Sequence, residues 1–310
     1  MLGKGTSNLI ANCELKGKSH FGTAGIVMNK CDAIIKDNKL DGFNKGAIMC
    51  WLKESNICKI FSTQIRNCDH AGIQCMGNSS SPLIEFCTIE NNKCPGIQVC
   101  TGNRCQIRKN TILHNNEGIE IISGDPQVFK NVIAKNHLTG IVTRAVEDLI
   151  CQPRIWCNNI NSNRNYGILC SGFNNLTRIE ENSDISFNKL AGIKVENEAE
   201  PIVIKNQIFK NINQGILISE NSSAHIEKNI ISENIKANIA MGGDNSANNV
   251  VVENEIFGGR CEGIFVIEGG YSLIFKNKIY DNYDGIVCCT AIPQILKNIV
   301  KKNRRHGIVV

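Results

Sequence analysis

Apolar residues recur along this chain in runs of two or three, bounded by turn residues, and the runs themselves repeat. The segment PQVFKNVIAKNHLTGIVT (126–143) returns as PIVIKNQIFKNINQGILI (201–218) and again as SLIFKNKIYDNYDGIVC (272–288). An Ile, usually preceded by Gly, anchors each unit: Ile26, Ile48, Ile73, Ile97, Ile119, Ile141, Ile168, Ile193, Ile216, Ile239, Ile264, Ile286 and Ile308, at steps of 22 to 27 residues. A period in this range is the signature of a solenoid. The apolar runs are too short for helices; they alternate, and Gly, Asn, Asp or Ser close them, as strands require. The leucine-rich pattern L-x-x-L-x-L-x-x-N is absent. The unit therefore predicts three short strands and three turns per coil, each strand pairing in parallel with its copy one coil away. Crossover handedness makes the solenoid right-handed. The expected fold is all-β: a right-handed, single-stranded parallel β-helix of about 12–13 coils, forming one domain over 1–310.

Three residues after an apolar position stand Asn38, Asn110, Asn131, Asn158, Asn182, Asn206, Asn229, Asn254, Asn277 and Asn298, with Thr63 and Cys87 as interruptions. Five residues further on comes a looser series: Asn92, Asn115, Asn136, Asn163, Asn211, Asn234, Asn282 and Asn303. Stacked amides can form ladders, and Asn tolerates the left-handed backbone of a sharp turn. Gly before each anchor suits another tight turn. These residues are expected to be architectural.

Composition narrows the classes. The chain has 310 residues, 42% of them hydrophobic, enough for a core. A net charge of +5 neither demands nor excludes an anionic partner. There is no apolar stretch long enough for a membrane helix, and with no apolar run among the first twenty residues a secretory leader is not expected. The 16 cysteines are thus expected to be free thiols in a reducing compartment, the cytoplasm. No CxxC or CxC pair occurs, which argues against zinc ribbons and thioredoxin-like sites; no metal or cofactor is expected. Cys50, Cys75, Cys170 and Cys288 fall two residues after an anchor and should point into the core as small hydrophobes.

Candidate chemistry is sparse. LKGKS (15–19) lacks the first Gly of a phosphate-binding loop, and GGDNS (242–246) does not repeat. The sequons at Asn78, Asn175 and Asn221 lack a secretory context. His20, His70, His114, His137, His225 and His306 are scattered. Asp69 beside His70 is the acid–base pair that sugar chemistry would use, although a polar turn is the simpler reading, as it is for RRHG at 304–307. No catalytic residue is assigned.

The position after each anchor should face outward. In order it holds Val27, Met49, Gln74, Gln98, Glu120, Val142, Leu169, Lys194, Leu217, Ala240, Phe265, Val287 and Val309. From Val142 on this row is largely apolar, and a long exposed apolar row marks a binding surface. Val142, Leu169, Leu217, Phe265, Val287 and Val309 are therefore the expected protein-binding residues, unless the insertion around RAVEDLICQP (144–153) folds over them. A basic row, Lys109, Lys130, Lys205, Lys228, Lys276 and Lys297, precedes the first Asn series and reads as a solvated face. It lacks the aromatic interleaving of a nucleic-acid surface, so neither nucleic acid nor membrane is expected as a partner. The last strand, GIVV, carries no cap, so the ends are expected to associate with partners.

The unit P-x-I-x-x-N-x-I-x-x-N-x-x-G-I-x-V resembles the right-handed β-helix repeats of the pectin-lyase-like superfamily, of the carbohydrate-binding and sugar-hydrolase type, over about residues 8–310. It is similar to the β-helix of F-box-associated substrate-recognition proteins, and mannuronan epimerases use similar repeats. That resemblance implies recognition of a protein or a sugar. Asp-Pro-His-Asp, the epimerase motif, is absent, with only Asp69-His70 retained, and the polygalacturonase motifs are missing. The reading that follows is a non-catalytic scaffold binding other proteins. The alternative is a carbohydrate-active enzyme or glycan-binding module on an acidic polysaccharide, using residues near Glu120 and Asp69-His70.

Overall fold

The computed structural model describes residues 8–17, 22–54, 56–77, 80–242, 248–268 and 271–310. Lys18 and Ser19 of LKGKS, His20, Asn78 and most of GGDNS lie outside the described residues. Within them the chain forms three 13-stranded sheets, every pair of neighbours parallel and one coil apart. The anchor sheet runs from Ala24–Asn29 to Ile308–Val309, the second sheet from Asn8–Ala11 to Gln294–Leu296, and the third from Glu14–Lys16 to Ile299–Lys301. No helix is present among these residues.

Register follows from the anchors. Ile48, Ile73, Ile97, Ile119 and Ile141 are successive strand partners, so each Ile stacks on the next. Ile columns from all three sheets meet in one continuous core. A one-residue slip would turn a whole column to solvent, which is what pins the register. None of the 16 cysteines is in a disulfide, and Cys50, Cys75, Cys170 and Cys288 are buried as their positions require. Burial pushes the Cys170 and Cys87 thiols up to about 12.

Both Asn series form ladders. Asn131 is representative. Its backbone N–H and its Nδ2 both donate to Asn158 Oδ1 (3.0 Å each), and Nδ2 also donates to Ile107 O (2.9 Å). Its own Oδ1 accepts from Asn110 N and Nδ2. One buried side chain thus satisfies two backbone groups of the preceding coil and links to the side chain of the next.

Two details differ from expectation. The left-handed residue of each turn is the one before the Asn: Lys109, Lys130, Lys205, Lys228, Lys276 and Lys297 all have φ of 54–56°, as do Glu181 and Glu253. The Asn amide has to point inward, so the exposed neighbour takes the strained conformation, at about 1–2 kcal/mol each. The Gly before an anchor serves close approach and not a turn. A Cβ on Gly118 would lie 2.4 Å from Gly140 O and 3.0 Å from Asn136 Nδ2.

The second ladder also contains Asn188, hydrogen-bonded to Asn163 and Asn211, and has one irregular coil. Gly259 stands where an Asn should be, and Asn238 stands where a pre-anchor Gly should be. Asn238 fills the gap: its Oδ1 accepts from Asn234 Nδ2 (2.8 Å) and its Nδ2 donates to Asn282 Oδ1 (2.9 Å). A Cβ on Gly259 would meet Asn238 Nδ2 at 2.8 Å, so each substitution requires the other.

Candidate functional site on the outer face of the anchor sheet

The outward row changes character along the solenoid, and not as a simple exposed stripe. Val142 is 1% exposed and Leu169 8%, and Ala240 is buried as well. Leu217, Phe265, Val287 and Val309 are half-buried. Of the six residues expected to bind protein, the first two therefore present almost no surface. The insertion after Arg144 instead exposes Val146, Leu149 and Ile150, and the next coil exposes Phe173 and Leu176. Leu149 and Ile150 line a cleft of about 310 Å³ with Arg104 and Asp125. The 27-residue step between Ile141 and Ile168 was the signal for this loop.

The polar end of the row is organised as a chain of side chains on adjacent coils. Gln74 Nε2 donates to Gln98 Oε1 (2.6 Å), and Gln98 Nε2 donates to Glu120 Oε2 (2.9 Å). Arg144 Nε lies 3.6 Å from the other Glu120 oxygen. These three residues form the floor of a cleft of about 210 Å³, whose walls include Lys45, His70 and Cys94. His70 and Glu120, separated by two coils in the sequence, thus face one space. Asp69 is not part of it; its carboxylate pairs with Lys93 at 2.8 Å.

The second Asn ladder sets the adjoining wall. The Cys68 N–H donates to Asn92, Asn92 N–H to Asn115, and Asn115 N–H to Asn136. His70, Cys94 and Glu117 each follow a ladder residue by two, so their backbone is fixed by buried hydrogen bonds. Burial, reinforced by the nearby Glu120 charge, pushes the Glu117 carboxyl above the usual carboxylate range. Burial, with help from Glu117 and Glu120, also raises the Cys94 thiol. A carboxylate that shares a cleft with an imidazole, and a second carboxyl of different setting near that carboxylate, are ingredients of proton transfer at a sugar oxygen or carbon.

Other polar groups on this face are locally satisfied. Lys194 is buried against Ser219 Oγ, 4.0 Å from Glu196, and burial holds its ammonium below the usual range. His306 Nδ1 sits 3.1 Å from Asp284 Oδ1, and Arg305 clamps both Asp284 oxygens at 3.1 and 2.6 Å. RRHG is thus a turn tied to a buried acid. The sequon residue Asn175 is fully buried and bonded to Thr143, which bars glycosylation there. Among the described residues no group of three or more His, Cys, Asp or Glu could hold a metal ion.

With fold and face defined, the class is plain: the family model of the right-handed β-helix region matches 1–136, 117–268 and 191–310, and the chain belongs to that family. No curated protein sequence matches it. Among solved structures it is similar to a mutant of the periplasmic alginate epimerase AlgG, at 12% identity and a TM-score of 0.56, over 97% of this chain and 84% of that one. It is also similar to the A-module of the Azotobacter vinelandii mannuronan C-5 epimerase AlgE6, at 11% identity and a TM-score of 0.49, over 98% and 90%. At such identities the likeness is one of fold.

Proposed function

We propose that this is a carbohydrate-active β-helix protein, with the cleft over Gln74, Gln98 and Glu120 holding one unit of a sugar polymer. The observation that carries this reading is that His70 and Glu120 line one small polar cleft, with Glu117 close enough to Glu120 to feel its charge. Glu117, biased toward its protonated form, is the proton donor. Glu120, fixed by Gln98 and Arg144, is the acceptor or charge partner, and His70 supplies a second base. Amide and carboxylate groups in a row suit a hydroxyl-rich ligand. That a protein of the same fold is an alginate epimerase is a precedent for the class and assigns no substrate. The test is to incubate the chain with a panel of neutral and acidic polysaccharides and follow chain cleavage, new double bonds and epimer content. Glu120→Gln and Glu117→Gln should each lower the rate by roughly 10²-fold or more while circular dichroism stays unchanged. Inactivity on every polymer, without binding to any, would remove the reading.

The Glu117 environment gives a further check. Its folded pKa lies above the unfolded value, so its contribution to stability is complete at low pH and is lost as pH rises through the folded pKa. Glu117→Gln should therefore raise Tm at pH 7 and leave it nearly unchanged at pH 4. Equal shifts at both pH values would mean that the carboxyl is not desolvated.

A non-catalytic protein-binding scaffold is the second reading. The exposed apolar cluster of Val146, Leu149, Ile150, Phe173 and Leu176 favours it more than the outward row does. A set of proteins recovered by the parent and lost by a folded Leu149→Asp, Phe173→Asp variant would support it. Recovery unchanged by Leu217→Asp with Phe265→Asp would exclude the outward row as the interface.

A further inference from the structure

The second sheet, distinct from the anchor sheet that carries the cleft, bears an ordered charged surface. One of its outward columns reads Glu85, Arg108, Phe129, Trp156, Glu180 on successive coils. Arg154 and Arg178 pair in the neighbouring column, and Lys109 and Lys130 stand at the turn beside them.

The arrangement buries acids and leaves bases on top. The Glu85 side chain, 12% exposed, takes Arg108 Nη2 at 2.9 Å and Lys109 Nζ at 3.1 Å. The Glu180 side chain, 8% exposed, takes Arg154 and, at 2.7 Å, Arg178. Although burial pushes both carboxyls up, the hydrogen bonds from these cations hold them below the usual range. The cations themselves are much more exposed, Arg154 at 54% and Arg178 at 46%. Between the two acid centres the Phe129 and Trp156 rings stack at 4.3 Å and 9°, with the Arg108 guanidinium 5.9 Å from the Phe129 ring centre and that of Arg154 4.6 Å from the Trp156 centre. Packing against the rings and the acids fixes both guanidinium planes. Four cations thus overlie two sunken carboxylates, and Lys130 adds a fifth positive charge at the adjoining turn. Lys130 has no ionic partner among the described residues, and Arg108 Nε is buried without a hydrogen-bond acceptor. Glu181, at the edge, is matched by Lys205 at 3.8 Å.

We infer that this face binds a linear polysaccharide carrying an anionic group on its sugar rings, laid along the solenoid axis. Successive coils place cations at steps of about 4.8 Å, the length scale of a single sugar ring. Guanidinium groups held flat suit carboxylate and sulfate alike. Single-stranded nucleic acid is disfavoured because its proteins offer aromatic faces for base stacking. Here the ring faces are occupied by each other and by Arg108 and Arg154. The surface is separate from the cleft and stands whether or not the cleft is catalytic.

The test is retention of the whole chain on immobilised heparin, a sulfated glycan, and on immobilised polygalacturonate, a carboxylated one, eluted with salt. The Lys130→Glu, Arg178→Gln variant should bind about tenfold more weakly. Glu is tolerated at the Lys130 turn position, since Glu181 and Glu253 already adopt the same left-handed backbone. The Lys297→Glu, Lys301→Gln variant changes net charge equally at the far end of the solenoid and should bind as the parent does. Binding to one matrix only names the anion. Equal weakening by both variants, no retention on either matrix, or displacement by a single-stranded oligothymidylate at lower concentration than by free glycan would each overturn the inference.

Discussion

The two asparagine ladders run side by side along the same solenoid but tolerate change differently. The first is unbroken from Asn110 to Asn298, and at its start Cys87 stands in for Asn, its Sγ 3.7 Å from Ile60 O where an amide would donate. The second is broken at Gly259 and repaired from outside the register by Asn238. What the fold requires at these corners is therefore the hydrogen bond and the filled space, and not the residue at a given position. Each ladder also holds a different proposed surface. The first supports the turn that carries Lys109 and Lys130, and the second fixes the turn carrying His70, Cys94 and Glu117.

The largest effect is expected in the middle of the unbroken ladder. Asn158→Ala removes the acceptor for Asn131 N–H and the donor to Val128 O, leaving buried groups unpaired at on the order of 3–5 kcal/mol. An unfolding free energy from denaturant titration within about 0.5 kcal/mol of the parent's would show that water replaces the amide. Next comes Gly259→Asn, which sets two side chains in one space at about 1–3 kcal/mol. The Asn238→Gly, Gly259→Asn pair should recover most of that loss, and a double variant no better than the single one would break the repair argument. Smallest is Cys87→Asn, which extends the first ladder by one rung and offers Thr63 N–H an acceptor, for about 1 kcal/mol of added stability by thermal melting.

Much of this was legible in the sequence because a repeat reports its own register: the anchor Ile residues, both ladders and the inward cysteines all follow from spacing. Asn188 escaped notice because it follows Asn182 by six residues where the others follow by five. Its place depends on a turn one residue longer, which only coordinates reveal. The left-handed residue was assigned to Asn on propensity, whereas burial of the amide moved it to the preceding Lys. The burial of Val142 and Leu169 depends on what flanks the sheet, and alternation along a strand carries no information about that. The cleft was half legible. Glu120 and Asp69-His70 are the candidates of the carbohydrate-active alternative, but that His70 and not Asp69 shares a cleft with Glu120, and that Glu117 lies near Glu120, is a matter of which turns overlie one another. The turn lysines read as a solvated row, whereas Arg108, Arg154 and Arg178 fall outside that row because they and the aromatics between them occupy strand positions and not turn positions.

The exchange between positions 238 and 259 also bears on how such a chain can be rearranged. Solenoids grow and shrink by duplication and recombination of whole coils, and most boundaries here are interchangeable because neighbouring coils present the same rungs. A crossover between residues 238 and 259 is not neutral. One product inherits two amides for a single space and the other inherits none. These two coils have to be inherited, deleted or transplanted together, and they mark the point where an otherwise modular chain has acquired a memory of its own order.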